Sequence, residues 1–560
     1  MTASPATAVP AARRGRGPNG VDLLAVALWA ACAALVLVPL GAIIVLAAGG
    51  SRLDVLLGDD VVEAGVNSLV SAGTSAVLAV VAGTALAVLL DRTDLPGRRA
   101  LRLLALTPLL VPPFVGAIAW LGIAGPTSPL NLWWRDRFGA PLWSVYGGDG
   151  VVLLLTVHSY PLVMLIVGAA LRRVPADLEH AARIAGAGPV RSTLAVTVPL
   201  LRPALLSSFV LVGVGNLADF GIPSIVGLPE RYVTLSTLVY RYLQSGTVDD
   251  PLTVVATIGT VLLALALAAV LLDAVLGRGA DRELDTSASP PQVLALGRSR
   301  APVGLLVWAA VTAVTVLPLL ALASQTLLRA PGLPLVPENL TTDNLVRALT
   351  SANTITGATN SVVLAGLAAL VCAVLGLGIG VLVTRTRTPG NRALRAVALL
   401  PQAVPGLVIA VAWLVVAPFV GLFNTPWLIL CAYVTSFVAL VVQAVTAPLA
   451  GIPAGAEEAA RISGAGRLRT LVDVSCRAAL PATLAGAVIV AVTAVRELTL
   501  SVLLLSPGSQ TLGVVIFNLQ QAGAFNTASA LSLVVALLGI AVIGLATPRA
   551  DRPKGSPWHP

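Results

Sequence analysis

The run LEHAARIAGA at Leu178–Ala187 returns 278 residues later as AEEAARISGA at Ala456–Ala465. Each copy follows a proline, Pro175 or Pro453, which suits the first turn of a helix because the missing N–H is not needed there. Each carries an acid and an arginine at i,i+4, Glu179 with Arg183 and Glu457 with Arg461, in the order that favours helical pairing. Ala181, Ala182, Ala459 and Ala460 give each helix a low-relief face. Gly186 and Gly464 can end it or turn the chain. A short polar helix, repeated inside an otherwise apolar chain, is a surface made to be gripped by something else.

Around these runs the chain is oily. Of its 560 residues, 57% are hydrophobic and 11% charged, with a mean hydropathy of +0.92. That composition excludes a soluble globular domain and describes a polytopic membrane protein. Apolar runs of bilayer length fall near 24–48, 65–90, 103–124, 151–171, 204–227 and 252–276. Six more fall near 302–327, 360–383, 396–418, 427–448, 482–505 and 528–547. We therefore expect an all-α fold with about twelve transmembrane helices. The first run is too long for a signal-peptide core and is read as a retained span. The expected organisation is a disordered tail at 1–20, membrane domains at 21–276 and 301–548, a linker at 277–300 and a tail at 549–560.

The two membrane domains are repeats. Residues 67–121 align without a gap to 360–414, with 28 identities in 55 positions. Asn67-Ser68 matches Asn360-Ser361, Pro96-Gly97 matches Pro389-Gly390, and Pro108, Pro112 and Trp120 match Pro401, Pro405 and Trp413. Six spans per repeat make the halves parallel, related by an axis along the membrane normal. With the N-terminus in the cytoplasm, 27 of the 35 Lys and Arg residues fall on inside segments. Positive residues favour the inside, so both termini and both repeated polar loops are expected there. The same topology accounts for the +9 net charge, which is no sign of nucleic-acid binding.

No phosphate-binding loop is present, because the sole lysine, Lys554, precedes Gly555 and not a Ser or Thr. No nucleophile elbow or His-Glu-x-x-His run appears, and Cys32, Cys372, Cys431 and Cys476 are scattered, as are His158, His180 and His559. We expect no enzyme, no cofactor and no metal site, and a pathway whose energy is supplied by another protein. Two acids stand inside apolar runs, Asp219 and Glu497, again 278 apart. Burying a charge in a bilayer is costly, so they are candidates for a translocation path. The competing expectation is that Glu497 pairs with Arg496, and that Asp219 caps a helix break near Gly221 and Pro223.

The repeated loops resemble the Glu-Ala-Ala loop of ATP-binding-cassette importer permeases. The first also matches that family's continuation at Val196, Val198 and Pro199, whereas the second has Arg477 in place of the proline. Asp219-Phe-Gly-Ile-Pro223 and Arg496-Glu-Leu-Thr-Leu500 look like segments of the ferric-iron permeases of that class, in which two permease domains are also fused. The resemblance implies a type I importer fold. It implies that Glu179, Ala181, Ala182 and Gly186, with Glu457, Ala459, Ala460 and Gly464, belong to coupling loops. Two copies of an ATP-binding-cassette ATPase would dock there, and an extracytoplasmic binding protein would deliver substrate at a bacterial plasma membrane. Ferric iron is the expected substrate. Thiamine, 2-aminoethylphosphonate and polyamine permeases are similar, and a secondary transporter would explain the duplication but not the loops.

Overall fold

The computed structural model describes residues 20–50, 53–246, 248–277, 294–386 and 390–546. The expected tails, apart from Gly20, and most of the expected linker lie outside them.

The described chain is almost entirely helical. In the first half, α1 is Gly20–Gly49, α2 Asp59–Arg92, α3 the pair Arg98–Leu110 and Pro113–Phe138, α4 Gly148–Leu171, α5 Ala195–Ala218 and α6 Pro251–Gly277. In the second half, α7 is Gly297–Leu327, α8 Ala352–Arg385, α9 the pair Asn391–Ala403 and Gly406–Val416, α10 Pro426–Ala450, α11 Arg467–Val495 and α12 Phe525–Ala546. Nine of these are single helices long and apolar enough to cross a membrane, and the two bent pairs raise that to eleven. The helix α12 completes six elements in each half.

The repeats fold alike down to their defects. Both third elements are broken, by 105° in α3 and 109° in α9. The residues before the break, Val111 and Val404, are extended, as is usual ahead of proline, and Pro112 and Pro405 follow them. The runs expected near 103–124 and 396–418 are therefore not straight spans. Those expected near 204–227 and 482–505 also stop short, at Ala218 and Val495. Hydropathy reports composition, and composition stays apolar through a break.

By contrast α2 and α8 are unbroken helices of 34 residues each with no internal proline. They pack very closely on α4 and α10. A Cβ placed on Gly83 would come within 2.7 Å of the Tyr160 carbonyl and the Val163 side chain. One on Gly376, the equivalent position, would lie 2.6 Å from Val441. Small residues at such crossings bring backbones together where no hydrophobic drive separates helix from lipid.

The first helix of each half packs on the other repeat as well as on the last helix of its own. Leu28 of α1 lies against Gly378, Trp29 lies over Gly390, and the Leu35 carbonyl accepts from Thr435 Oγ1 at 2.9 Å. Correspondingly, Trp308 of α7 covers Gly97 and donates from Nε1 to the Pro96 carbonyl at 3.1 Å. Gly97 and Gly390 both have left-handed backbones, with φ of +70° and +88°.

Candidate coupling loops and central cavity

The two repeated polar runs form helices, Ala176–Ile184 and Ala454–Ile462, each entered through its proline. Each ends on a glycine at φ +90°, Gly186 or Gly464. The following residue closes the turn, with Ala187 N–H donating to Ala182 and Ala465 N–H to Ala460, both at 3.0 Å. This is the glycine-ended helix stop, and a left-handed residue is its requirement. Open space surrounds both glycines, so backbone conformation and not crowding selects them.

The glutamates do not make the i,i+4 pairs expected from spacing. Glu179 turns inward and is 2% exposed. One of its oxygens accepts from Thr197 Oγ1, and the other faces Arg92 Nη1 at 3.8 Å. Arg92, the last residue of α2, also donates to the carbonyls of Leu171 and Val174 at 3.0 and 3.4 Å. The second half repeats the arrangement. Glu457 accepts from Arg385 Nε and from Ser475 Oγ, both at 2.6 Å. Arg385, the last residue of α8, reaches the carbonyls of Leu449 and Ile452 at 3.3 and 3.0 Å. Partial burial works to raise the Glu457 pKa, but the hydrogen bonds from Arg385 and Ser475, with the charges of Arg385 and Arg461, outweigh it and hold the carboxyl below its usual range. A long arginine at the end of a span finds more hydrogen-bond acceptors at a neighbouring helix end than a partner on an exposed helix face does.

Within each of these two helices one alanine of the pair, Ala181 or Ala459, is exposed, and the other, Ala182 or Ala460, is half-buried. The most prominent feature was not anticipated. Ile184 and Ile462 are each 88% exposed, at equivalent places on the two helices. Their signal in the sequence was an isoleucine next to the arginine in both copies. Arg92 and Arg385 were also missed, although the gapless repeat alignment equates them. Arg477, where the resemblance expects proline, has no effect on the backbone course: α11 runs through it as α5 runs through Pro199.

Between the halves lies a cavity of about 810 Å³, lined among others by Phe114, Asp219, Leu440, Thr493, Arg496 and Glu497. The structure thus brings the two acids to one space. Each sits just past the end of its span and caps the next turn of backbone. Asp219 Oδ1 accepts from Ile222 N–H at 2.8 Å, and Glu497 Oε2 accepts from the N–H groups of Leu500 and Ser501 at 2.7 and 3.3 Å. Arg496 does not pair with Glu497. Its Nη2 crosses to the other half and donates to the Val111 carbonyl, at the break in α3, at 3.1 Å. Its Nε has no hydrogen-bond partner among the described residues. The equivalent residue in the first half is Ala218, so this cation has no counterpart. No group of three or more His, Cys, Asp or Glu residues able to hold a metal occurs among the described residues.

Beside the acids the halves meet through an aromatic cluster. Phe220 contacts Tyr240 and Phe517 at ring-centroid distances of 5.2 and 5.6 Å, and Tyr240 meets Phe517 edge-on at 5.8 Å. Tyr240 and Phe517 stand on two equivalent short helices, Leu235–Ser245 and Leu512–Gln521.

The family model of the binding-protein-dependent transport system inner membrane component matches residues 79–282 and again 373–548. This chain belongs to that family. It is an ATP-binding-cassette importer permease with two permease domains in one polypeptide, a multi-pass membrane transport subunit and not an enzyme. A probable molybdenum ABC transporter permease protein of Haloferax volcanii is 30% identical over 242 residues, 43% of this chain and 85% of that protein. A molybdenum transport system permease protein of Mycobacterium tuberculosis is 35% identical over 219 residues, 39% of this chain and 79% of that protein. A putative ferric transport system permease protein of Haemophilus influenzae is 28% identical over 206 residues, 36% of this chain and 32% of that protein.

Proposed function

We propose that this permease carries ferric iron, delivered by an extracytoplasmic binding protein, through the cavity between its halves, units we place at 21–276 and 301–548. Two ATPase subunits dock on Ala176–Ile184 and Ala454–Ile462 from the cytoplasm, where both chain termini also lie. The observation that carries the docking is the pair of near-fully exposed isoleucines, Ile184 and Ile462, on polar helices of one shape. An apolar side chain held out on a short, firmly capped helix is what a groove in a partner recognises. Replacing Ile184 and Ile462 by Asp should abolish co-purification of the ATPase from membranes while the permease still inserts. Retained co-purification would remove this reading.

Iron is supported by the equivalent carboxylates Asp219 and Glu497 on one cavity and by the ferric relatives. A hard trivalent cation prefers oxygen ligands, and two capped carboxylates bind it weakly enough to release it. A second reading rests on Arg496. A guanidinium lining the same cavity suits an oxyanion, and molybdenum permeases are among the relatives. Uptake of radioiron and of radiomolybdate by cells with and without the intact chain separates the two. Iron uptake that depends on Asp219 and Glu497 supports the first. Molybdate uptake that depends on Arg496 replaces it with the second.

A further inference from the structure

Asn67-Ser68 and Asn360-Ser361 stand out in the repeat, and the proposed function leaves them without a role. In the structure they hold the two short helices that carry Tyr240 and Phe517. Asn67 Nδ2 donates to the Val233 carbonyl at 3.0 Å, and Asn360 Nδ2 donates to those of Gly508 and Gln510 at 2.8 and 2.9 Å. Buried Ser68 Oγ accepts from Leu235 N–H, and Ser361 Oγ from Leu512 N–H, both at 2.8 Å. Each serine thus satisfies the first N–H of a short helix from outside, a cap lent by a neighbouring span.

The same two spans end on Arg92 and Arg385, which grip the coupling loops. From Asn67 to Arg92 is 25 residues, and from Asn360 to Arg385 is also 25. At 1.5 Å per residue that is about 38 Å of helix. Neither α2 nor α8 contains a proline, whereas α4, α5, α7, α10 and α11 each carry one inside the helix. Prolines are where helices bend, so these two, at 34 residues each, are the longest unkinked helices among the described residues.

We propose that α2 and α8 are levers, clamped at one end to the coupling helices and at the other to the helices bearing Tyr240 and Phe517. Closing of the docked ATPases pulls the coupling helices together. The arginine clasps pass that movement to the levers. The Asn-Ser clamps pass it to the aromatic cluster, which opens or closes the far side of the cavity. Arg92, Arg385, Asn67, Ser68, Asn360 and Ser361 are positioning residues in this scheme, and none touches substrate. The scheme rests on the reading of Ala176–Ile184 and Ala454–Ile462 as docking helices.

Its test uses the full chain co-purified with its ATPase subunits and placed in lipid nanodiscs. Spin labels go on Gln244→Cys and Gln521→Cys, exposed equivalent positions on the two short helices, after half-buried Cys431 and Cys476 are changed to Ala. Trapping with ADP and vanadate should shift the label separation in the otherwise unaltered permease. N360A with S361A, distant from the ATPase, should leave co-purification intact and remove most of the shift. R385Q should do the same, and R385K should restore part of it. Combining the clasp and clamp changes in one half should remove no more than either alone, because both cut one mechanical chain. A full shift in either variant, or losses that simply add, overturns the lever. If ATPase co-purification is insensitive to Ile184→Asp with Ile462→Asp, the docking reading has failed instead. If R385Q does not fold, the N360A–S361A pair decides the matter by itself.

Discussion

Removing the Glu179 carboxylate would strand a guanidinium that has nowhere else to go. Arg92 is 2% exposed, and its Nε and Nη1 have no hydrogen-bond partner among the described residues. After Glu179→Ala its charge would be met only by the carbonyls of Leu171 and Val174. Breaking a buried ion pair from one side costs about 3–5 kcal/mol, because the surviving charge stays desolvated. That is roughly two to nearly four decades in the folding equilibrium. The equivalent change Glu457→Ala should cost less, about 1–3 kcal/mol, the range for a lost hydrogen bond to a charged group. There the side chains of Arg385 and Glu457 are 11% and 18% exposed, so water can reach the arginine once the acid is gone. The assay is the fraction of permease that stays monodisperse on gel filtration after a series of heating steps in mild detergent. Glu179→Ala should lower the midpoint well below that of Glu457→Ala. Glu179→Gln, which still offers Thr197 an acceptor, should fall between unaltered protein and Glu179→Ala. Adding Arg92→Met to Glu179→Ala should recover much of the loss, since no charge is then stranded. Equal damage from Glu179→Ala and Glu457→Ala, or no recovery in the double variant, would refute the reasoning.

Acid should loosen the second clasp in a defined direction. Glu457 has a folded pKa below its ordinary value of 4.5, so its contribution is complete above that value and is lost as pH falls through the folded pKa. Hydrogen exchange at Ala454–Ile462 should therefore accelerate only below about pH 4.5, and Glu457→Gln should remove that step. Within α8, Gly376→Val should sharply reduce folded yield, since a Cβ there lies 2.6 Å from Val441, whereas Gly366→Ala, with open space around it, should be silent. Overpacking of this kind costs about 1–3 kcal/mol, and equal yields of the two variants on membrane blots would show the crossing to be looser than described. Gly464→Leu forces a branched residue to φ +90° and should weaken ATPase co-purification, with Gly464→Asn milder because Asn tolerates that region. Identical behaviour of Leu and Asn would count against the turn as the reason for the glycine.

Much of the architecture was legible in residue order alone. Two polar runs at one offset located the two short polar helices, and the same offset brought Asp219 and Glu497 to equivalent positions. The duplication was visible as 28 identities in 55 positions. What escaped was geometry that composition does not encode. Apolar runs look continuous through Pro112 and Pro405, yet the chain turns through more than 100° at both. The glutamates of the loops looked paired with Arg183 and Arg461. Arg92 and Arg385 could be found only by asking what a span-ending arginine does with the carbonyls of the next helix. The sequence suggested that Asp219 would cap a break, and it does. It suggested Arg496 as the partner of Glu497, and the structure sends that arginine to the opposite half. Adjacency in sequence says little about contact where a helix ends and the chain changes direction.

Arg496 also bears on why the halves share one chain. Its counterpart is Ala218, although the neighbouring acids Asp219 and Glu497 are retained in both halves. In an assembly of two identical subunits, a residue beside the axis always faces its own copy. Any cation placed there would come as a pair, and two like charges in one enclosed space repel. A fused chain is free of that constraint. It can keep the matched clasps and glycines on which folding of each half depends, and still install a single unmatched charge where both halves look inward. Symmetry is kept in the clasps and the turn glycines, while the cavity between the halves carries a cation that one half alone supplies.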